Sequence, residues 1–198
     1  MPVDQISKNG EILEAARTVF IRHGIKKATM DDIAKMITIT RTALYYYYRN
    51  KDDLLGAVLN QEIQAYERGL DAAVGRIDEP VEKLVALGSC YCDFHDSIRS
   101  LFKTDSDDYL DNYELLKSFK DRVLDVNEAA IANILFGDPS VAGAERAACH
   151  ARLLGMSLRG ILFNTAGMDD EGRRSALARM CRIFYHGLGA LPRTDAKQ

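Results

Sequence analysis

The chain has 198 residues, of which 47% are hydrophobic, and a formal net charge of −3. This composition can fill one large core or two smaller ones, and it excludes an intrinsically disordered chain. No run approaches the roughly 18 apolar residues of a membrane-spanning helix, and the first ten residues lack the apolar core of a secretory signal. We therefore expect a cytoplasmic protein without a membrane partner, whose four scattered cysteines remain free thiols.

The charge is unevenly distributed along the chain. Residues 1–60 carry nine Lys/Arg against seven Asp/Glu, a net +2, whereas the rest carries 17 against 22, a net −5. A weakly basic N-terminal segment permits a nucleic-acid partner without establishing one. The positions of particular side chains must therefore decide the function.

The whole sequence favours an all-α fold. Ala, Leu, Glu, Lys and Arg dominate its long segments, strictly alternating β-branched runs are missing, and the four prolines lie near termini or between apolar-periodic segments. Apolar residues recur at helical spacing from Ile12 to Phe20, and Gly24 follows as a stop signal. The first helix is therefore expected at about residues 5–23.

Two short helices are predicted between residues 29 and 48. Thr29 and Asp32 have the spacing of a capping pair at the start of the first, and Thr40 is a plausible N-cap of the second. In the second helix Leu44 and Tyr48 fall at i and i+4 and share the inward face. Because successive residues turn by about 100°, four consecutive tyrosines cannot all be buried, and two must face outward.

The exposed groups of this second helix are mostly hydrogen-bond donors. Arg41, Thr42, Tyr45 and Tyr46 project away from its inward face. Donors and a cation at the start of a helix are suited to phosphate anchoring and to reading base edges in the DNA major groove. An ordinary aromatic core contact is the alternative interpretation of the tyrosines.

Residues 8–60, about a quarter of the chain, resemble the N-terminal domain of the TetR family of transcriptional repressors. The resemblance rests on I-L-E-A-A-R-T-V-F-I-R-H-G as a first helix, T-M-D-D-I-A as a second, and T-R-T-A-L-Y-Y-Y-Y-R-N-K-D-D-L as a recognition helix and its exit. The resemblance implies DNA contacts at six positions: Thr29, Arg41, Thr42, Tyr45, Tyr47 and Lys51. We add Tyr46 because it faces outward on the recognition helix. The predicted DNA-binding residues are Thr29, Arg41, Thr42, Tyr45, Tyr46, Tyr47 and Lys51.

Two positions depart from the family pattern. Thr38 stands where the turn usually has glycine, and Tyr47 replaces the usual histidine, with Tyr48 in place of phenylalanine. A non-glycine residue at positive φ carries a steric cost, which leaves a shifted turn as one outcome. Tyr47 can donate a hydrogen bond to phosphate, but it is neutral and longer than histidine.

The remaining sequence predicts six further helices, which bring the total to about nine. A long one from residue 52 to about 77 links the N-terminal segment to the rest. The others are expected at 80–103, 107–118, 120–136, 141–166 and 170–190. We predict a helix-turn-helix DNA-binding domain at residues 1–52 and a helical effector-binding and dimerisation domain at residues 53–198.

The last two helices carry apolar stripes at helical spacing. The resemblance implies that two such helical hairpins associate as a homodimer, while burial within one chain is the alternative for about half of the stripe. The predicted dimer-interface residues are Leu154, Leu158, Ile161, Leu162, Leu177, Cys181, Phe184 and Leu188.

The middle helices carry aromatic and titratable side chains, most of which are typical of an ordinary core. The resemblance implies an effector pocket here, for a small molecule that is largely apolar or aromatic. The candidate ligand-binding residues are Tyr91, Phe94, His95, Phe102, Tyr109, Tyr113 and Phe119.

Metal-dependent and enzymatic functions are weaker interpretations. Cys90 and Cys92 point about 200° apart on a helix, and Cys92 with His95 gives two ligands, too few for a closed zinc site. Phosphate-loop, nucleophile-elbow and zinc-protease motifs are missing. We therefore expect a DNA-binding transcriptional regulator, without catalytic residues, metal or cofactor, that leaves a palindromic operator when an effector binds. The alternative is a helical dimer that binds a ligand or protein but has lost specific DNA recognition.

Overall fold

The computed structural model of the chain describes residues 3–102, 113–137, 144–164 and 167–190, with side chains from residue 8 to 188 in these ranges except at 113 and 144. Eight helices and no strand occur in these residues, which confirms the all-α prediction. The helices are α1 (Val3–His23), α2 (Met30–Met36), α3 (Arg41–Tyr47), α4 (Lys51–Val74), α5 (Pro80–Leu101), α6 (Tyr113–Phe136), α7 (Ala144–Asn164) and α8 (Asp170–Ala190).

One predicted helix break is absent. Residues 113–136 form a single helix, α6, where the sequence predicted separate helices at 107–118 and 120–136. No glycine or proline occurs between Tyr113 and Phe136, so nothing in the local sequence ends the helix there. Residues 107–112 of the first predicted helix lie outside the described residues.

The chain divides into two compact units. The first comprises residues 1–65 and 94–121, and the second comprises residues 66–93 and 122–198. Helices α4, α5 and α6 each contribute residues to both units. The division into functional domains at residues 52 and 53 stays a prediction, and it coincides with the start of α4 at Lys51.

Each unit has its own apolar core. In the first, α1 contacts α2 and α2 contacts α3; its buried side chains include Ile12, Ala16, Val19, Phe20, Ile33, Leu44, Leu54, Leu55, Leu59 and Ile63. In the second, α7 contacts α8; its buried side chains include Leu84, Leu87, Ile131, Ala151, Leu154, Leu158, Leu162, Leu177 and Cys181. None of the described helices combines the length and hydropathy that crossing a membrane requires.

Candidate nucleic-acid interface

The start of α2 is held by a reciprocal capping box. The Asp32 amide donates to Thr29 Oγ1 at 3.2 Å, while the Thr29 amide and hydroxyl donate to Asp32 Oδ2 at 3.1 and 2.6 Å. The hydroxyl bond is the main cause that lowers the pKa of Asp32 below its usual value. The predicted cap is confirmed, and it commits both donors of Thr29 to Asp32, although the side chain is exposed.

The turn after α2 keeps the conformation that glycine usually provides. Thr38 has a φ of 56°, in the left-handed region, and it is the only non-glycine residue with positive φ in the described part of the chain. The amide of Thr38 donates to Lys35 O at 3.2 Å, and that of Ile39 donates to Ala34 O at 3.0 Å. These two bonds form a Schellman motif. The turn is therefore not shifted, and the threonine side chain carries the strain instead.

Thr38→Gly should raise the free energy of unfolding by about 1 kcal/mol, because it removes the steric cost of a Cβ in the left-handed region. The melting temperature should rise by about 2–4 °C, which calorimetry would measure. Thr18→Gly in α1 is the matched control, and it should lower the melting temperature because that backbone is helical. Equal changes in both variants would contradict the assignment of strain to Thr38.

Helix α3 is docked by one leucine and capped by one threonine. Thr40 Oγ1 accepts from the Ala43 amide at 3.1 Å, which confirms the predicted N-cap. Leu44 is 0% exposed. Arg41, Thr42, Tyr45 and Tyr46 are exposed, and at about 100° per residue they span an arc of about 140° on the side away from Leu44. The predicted outward face and the inward position of Leu44 are confirmed, whereas Tyr48, predicted to share the inward face, follows the end of the helix and is half-buried.

Arg41 and Tyr45 form a pair one turn apart on the exposed face of α3. The Arg41 guanidinium donates to the Tyr45 hydroxyl at 3.1 Å and lies 5.4 Å from the centre of its ring. This bond is the main cause that raises the pKa of Arg41. The pair orients the guanidinium along the helix while using one of its five N–H donors, so the others can meet acceptors of a partner.

The four tyrosines have separate surroundings. Tyr46 is 79% exposed and Tyr45 is 39% exposed, so the predicted pair of outward tyrosines is confirmed. Tyr47 is half-buried, with its ring 5.7 Å from that of Tyr46 in an edge-on contact. Tyr48 follows the end of α3, and its hydroxyl donates to Asn9 Oδ1 on α1 at 2.7 Å. Tyr48 therefore ties the end of α3 to α1.

Lys51 lies at the start of α4 and reaches back to the loop between α1 and α2. Its ammonium donates to Ile25 O at 2.7 Å, to Lys26 O at 3.2 Å and to Ala28 O at 3.3 Å. A lysine ammonium has three N–H donors, so these bonds occupy all of them. The DNA contact predicted for Lys51 would compete with this loop-holding role.

A polar triad in the first unit was missed by the sequence reasoning. Arg17 on α1 donates to Glu62 Oε1 at 2.6 Å and to Ser97 Oγ at 3.1 Å, and Ser97 Oγ donates to Glu62 Oε2 at 2.9 Å. The closed ring of bonds joins α1, α4 and α5. Its members lie 45 and 80 residues from Arg17 in the sequence, so no local pattern could have revealed it.

The candidate ligand-binding residues are divided between the two units. Phe94 and Phe119 are buried in the first unit with stacked rings 6.0 Å apart, and His95 Nδ1 lies 3.6 Å from the carboxylate of Asp96. Phe102 is half-buried in the same unit, whereas Tyr91 is buried in the second. Tyr109 and the side chain of Tyr113 lie outside the described residues. The effector pocket stays a prediction.

Most of the candidate dimer-interface residues lie inside the protomer. Five of the eight are at most 3% exposed: Leu154, Leu158, Leu162, Leu177 and Cys181. They fill the core of the second unit, and the Cys181 thiol donates to Leu84 O at 3.3 Å. These five cannot also contact a second chain, so their assignment to an interface is wrong. Ile161, Phe184 and Leu188 are half-buried.

Comparison with known proteins places the N-terminal segment in a family. Residues 12–58 match the family described as bacterial regulatory proteins, tetR family. The chain is 30% identical over 78 residues to the HTH-type transcriptional regulator TtgR of Pseudomonas putida, covering 39% of this chain and 35% of TtgR. It is 31% identical over 90 residues to the HTH-type transcriptional repressor KstR2 of Mycolicibacterium smegmatis, covering 43% of this chain and 42% of KstR2. These alignments span less than half of either relative.

Solved structures share the fold over a longer stretch. A TetR-family transcriptional regulator from Pectobacterium atrosepticum aligns with a TM-score of 0.69 at 22% identity, over 98% of this chain and 100% of that one. A transcriptional regulator from Cytophaga hutchinsonii aligns with a TM-score of 0.69 at 20% identity, over 89% of this chain and 95% of that one. Residues 12–58 therefore match the tetR family, and the chain as a whole shares the helical fold of these solved regulators.

Proposed function

We propose that the chain is a dimeric transcriptional regulator that binds a palindromic operator and acts as a repressor released by a small-molecule effector. The observation that carries the proposal is the exposed donor face of α3 opposite the buried Leu44. A helix of this kind fits the DNA major groove, where its donors meet base-edge acceptors and phosphate oxygens. The match of residues 12–58 to the tetR family supports the same function.

The experiment that tests this function is selection from random duplex DNA by the purified full-length protein at two salt concentrations. We expect an enriched palindrome whose half-sites are about one helical turn, or a multiple of it, apart, because a twofold dimer presents two copies of α3. Affinity for it should fall as salt rises, because phosphate contacts release counterions. No enrichment at low salt would contradict the proposal and favour the ligand-binding dimer.

Within the interface we expect different roles for Arg41 and Tyr45. Arg41→Ala should relax or change the preferred base at one position of each half-site, as loss of a direct base contact does. Tyr45→Ala should weaken all selected sequences by a similar factor, about tenfold, since a phosphate contact positions the helix without reading sequence. Thr42→Val should resemble Arg41→Ala. Selection and titration with each variant give the measurement.

The control for these variants is Lys83→Ala on α5, which changes the charge by the same amount as Arg41→Ala outside the helix-turn-helix segment. It should leave both the selected motif and the affinity unchanged. Uniform losses at Arg41, Thr42 and Tyr45 would contradict the division of roles.

The homodimer is better supported by the outer faces of α7 and α8 than by their buried stripe. Four large apolar side chains are 48–62% exposed there: Leu153, Met156, Phe163 and Ile183. On α7 the exposed Leu153, Met156 and Phe163 and the half-buried Gly160 follow one another at intervals of three, four and three residues, which is the spacing of a helix-packing seam. We therefore assign this surface, instead of the five buried residues, to the partner copy.

Ile183→Ser should raise the dissociation constant of the homodimer about tenfold, because a central apolar anchor of an interface is lost. Sedimentation over a dilution series measures it. Met168→Ser, at a 52% exposed methionine before α8, is the matched control and should leave the constant unchanged. Equal effects of both substitutions would show that the outer face of α8 is not the interface.

We propose that the effector binds the domain at residues 53–198 and changes the fraction of molecules in the conformation that binds DNA. A ligand can do so only if its affinity differs between the two conformations. Operator affinity measured with and without a bound small molecule tests this step, and unchanged affinity would refute it.

A further inference from the structure

Asn127 interrupts the buried face of α6. It falls four residues after Val123 and four before Ile131, both of which are buried, and its own side chain is 1% exposed. Asn127 is the only buried polar residue in the described part of the chain. A leucine would continue the apolar face, so the amide needs a reason to be there.

The amide of Asn127 is half satisfied. The Tyr66 hydroxyl donates to Asn127 Oδ1 at 2.5 Å, which fixes the orientation of the amide. Asn127 Nδ2 is buried and finds no acceptor among the described residues. Buried donors in folded proteins nearly always have a partner, because an unpaired one forfeits its bonds to water without replacement. A bound molecule that carries an acceptor oxygen would satisfy this donor.

The surroundings of Asn127 combine aromatic surface with neutral donors. The Tyr66 and Tyr91 rings lie 6.2 Å apart, both 6% exposed, in the second unit that also holds Asn127. Burial raises the pKa of Tyr66, and it raises that of Tyr91 to about 12 against the opposing charge of Arg159. Both hydroxyls therefore keep their protons at neutral pH. Apolar walls with a few fixed donors are typical of sites for small organic ligands.

We propose that Asn127, Tyr66 and Tyr91 form the polar end of a binding site for a small organic molecule that carries a carbonyl or carboxylate oxygen on an apolar body. The oxygen accepts from Asn127 Nδ2, and the apolar body lies against the tyrosine rings. The inference rests on the proposed function only in treating this molecule as the effector; the binding itself is independent of DNA.

Matched probes test the site in the full-length protein without DNA. Benzoate, benzamide and toluene share one ring and differ in the oxygen acceptor. At about 10 mM, benzoate or benzamide should raise the melting temperature of the wild type, because a ligand that binds the folded state stabilises it, while toluene should not. A response to benzamide alone identifies a neutral acceptor, and a response to benzoate an anion; both support the site.

Asn127→Leu should bind the active probe at least about fivefold more weakly and lose most of the shift in melting temperature. Asn133→Leu, an exposed asparagine on the same helix, is the matched control and should keep both. Three results would overturn the proposal: toluene shifts the melting temperature as much as the acceptor probes do, the shift survives in Asn127→Leu, or neither acceptor probe shifts it. A buried water bound to Asn127 Nδ2 would produce the third result, because the donor would already have an acceptor.

The stability of probe-free variants gives a second test. Asn127→Leu alone should lower the melting temperature, because Tyr66 loses its acceptor. Adding Tyr66→Phe should restore it to at least the wild-type value, since both polar partners are then gone. A double variant that melts below the wild type would mean that the pair serves stability, which contradicts a ligand-binding role. If the protein selects a palindrome but binds none of the probes, the ligand site is wrong and the proposed function is unaffected. If it binds a probe but selects no DNA sequence, the proposed function is wrong and the ligand site is unaffected.

Discussion

Leu44→Ala is expected to lower the free energy of unfolding of the helix-turn-helix segment by about 2–5 kcal/mol. Leu44 is 0% exposed and is the only buried side chain of α3. The substitution removes its apolar contacts and leaves a cavity that the surrounding helices fill only in part. A helix of seven residues has little stability of its own, so α3 should detach and operator binding should be lost. Urea unfolding and operator titration measure the two effects.

The matched control is Tyr46→Ala on the opposite face of α3. Tyr46 is 79% exposed, so its truncation should change the free energy of unfolding by less than about 0.5 kcal/mol. Operator binding should weaken nonetheless, because the side chain stands on the donor face. A Leu44→Ala protein that keeps wild-type stability would contradict the docking of α3 through this residue.

Lys51→Met should lower the free energy of unfolding by about 2 kcal/mol, because three carbonyl oxygens lose a charged donor. The carbonyls belong to Ile25, Lys26 and Ala28, in the loop that leads into α2. Methionine retains an unbranched side chain, so the substitution removes the ammonium with little change in apolar packing. Operator affinity should fall as well, since α2 and α3 lose part of their support. Urea unfolding beside operator titrations over a salt series separates the two losses.

Lys27→Met is the control for Lys51→Met. Lys27 is an exposed cation in the same loop, and its removal should leave the free energy of unfolding nearly unchanged. If Lys51→Met also left stability unchanged but reduced the salt slope of operator binding by about one, Lys51 would be a phosphate contact instead of a support for the loop.

The helix-turn-helix segment was largely predictable because its determinants are local. The cap at Thr29 depends on a residue three positions away, and the inward face of α3 follows from the helical period alone. The conformation of Thr38 was harder to predict, since threonine disfavours positive φ and the two bonds of the Schellman motif outweigh that preference. The conformation of Thr38 depended on the balance between the steric cost of its side chain and these two hydrogen bonds.

The last two helices show where helical periodicity stops being informative. Leu154 and Leu158 lie on one face of α7, while Leu153 and Met156 lie on another, and both faces are apolar. The period identifies apolar faces but cannot say which one meets the same chain and which remains exposed. The packing of α7 within the second unit decided which of its two apolar faces is buried.

The sequence by itself determined the all-helical class, the caps and inward residue of the helix-turn-helix, and the donor face of α3, because each depends on residues within one or two helical turns. The tertiary structure alone decided the contacts of Lys51, which span 23 to 26 residues, and the pairing of Asn127 with Tyr66 across 61 residues. A buried polar group is explained by its partner in space, and the fold brings that partner from a distant part of the chain.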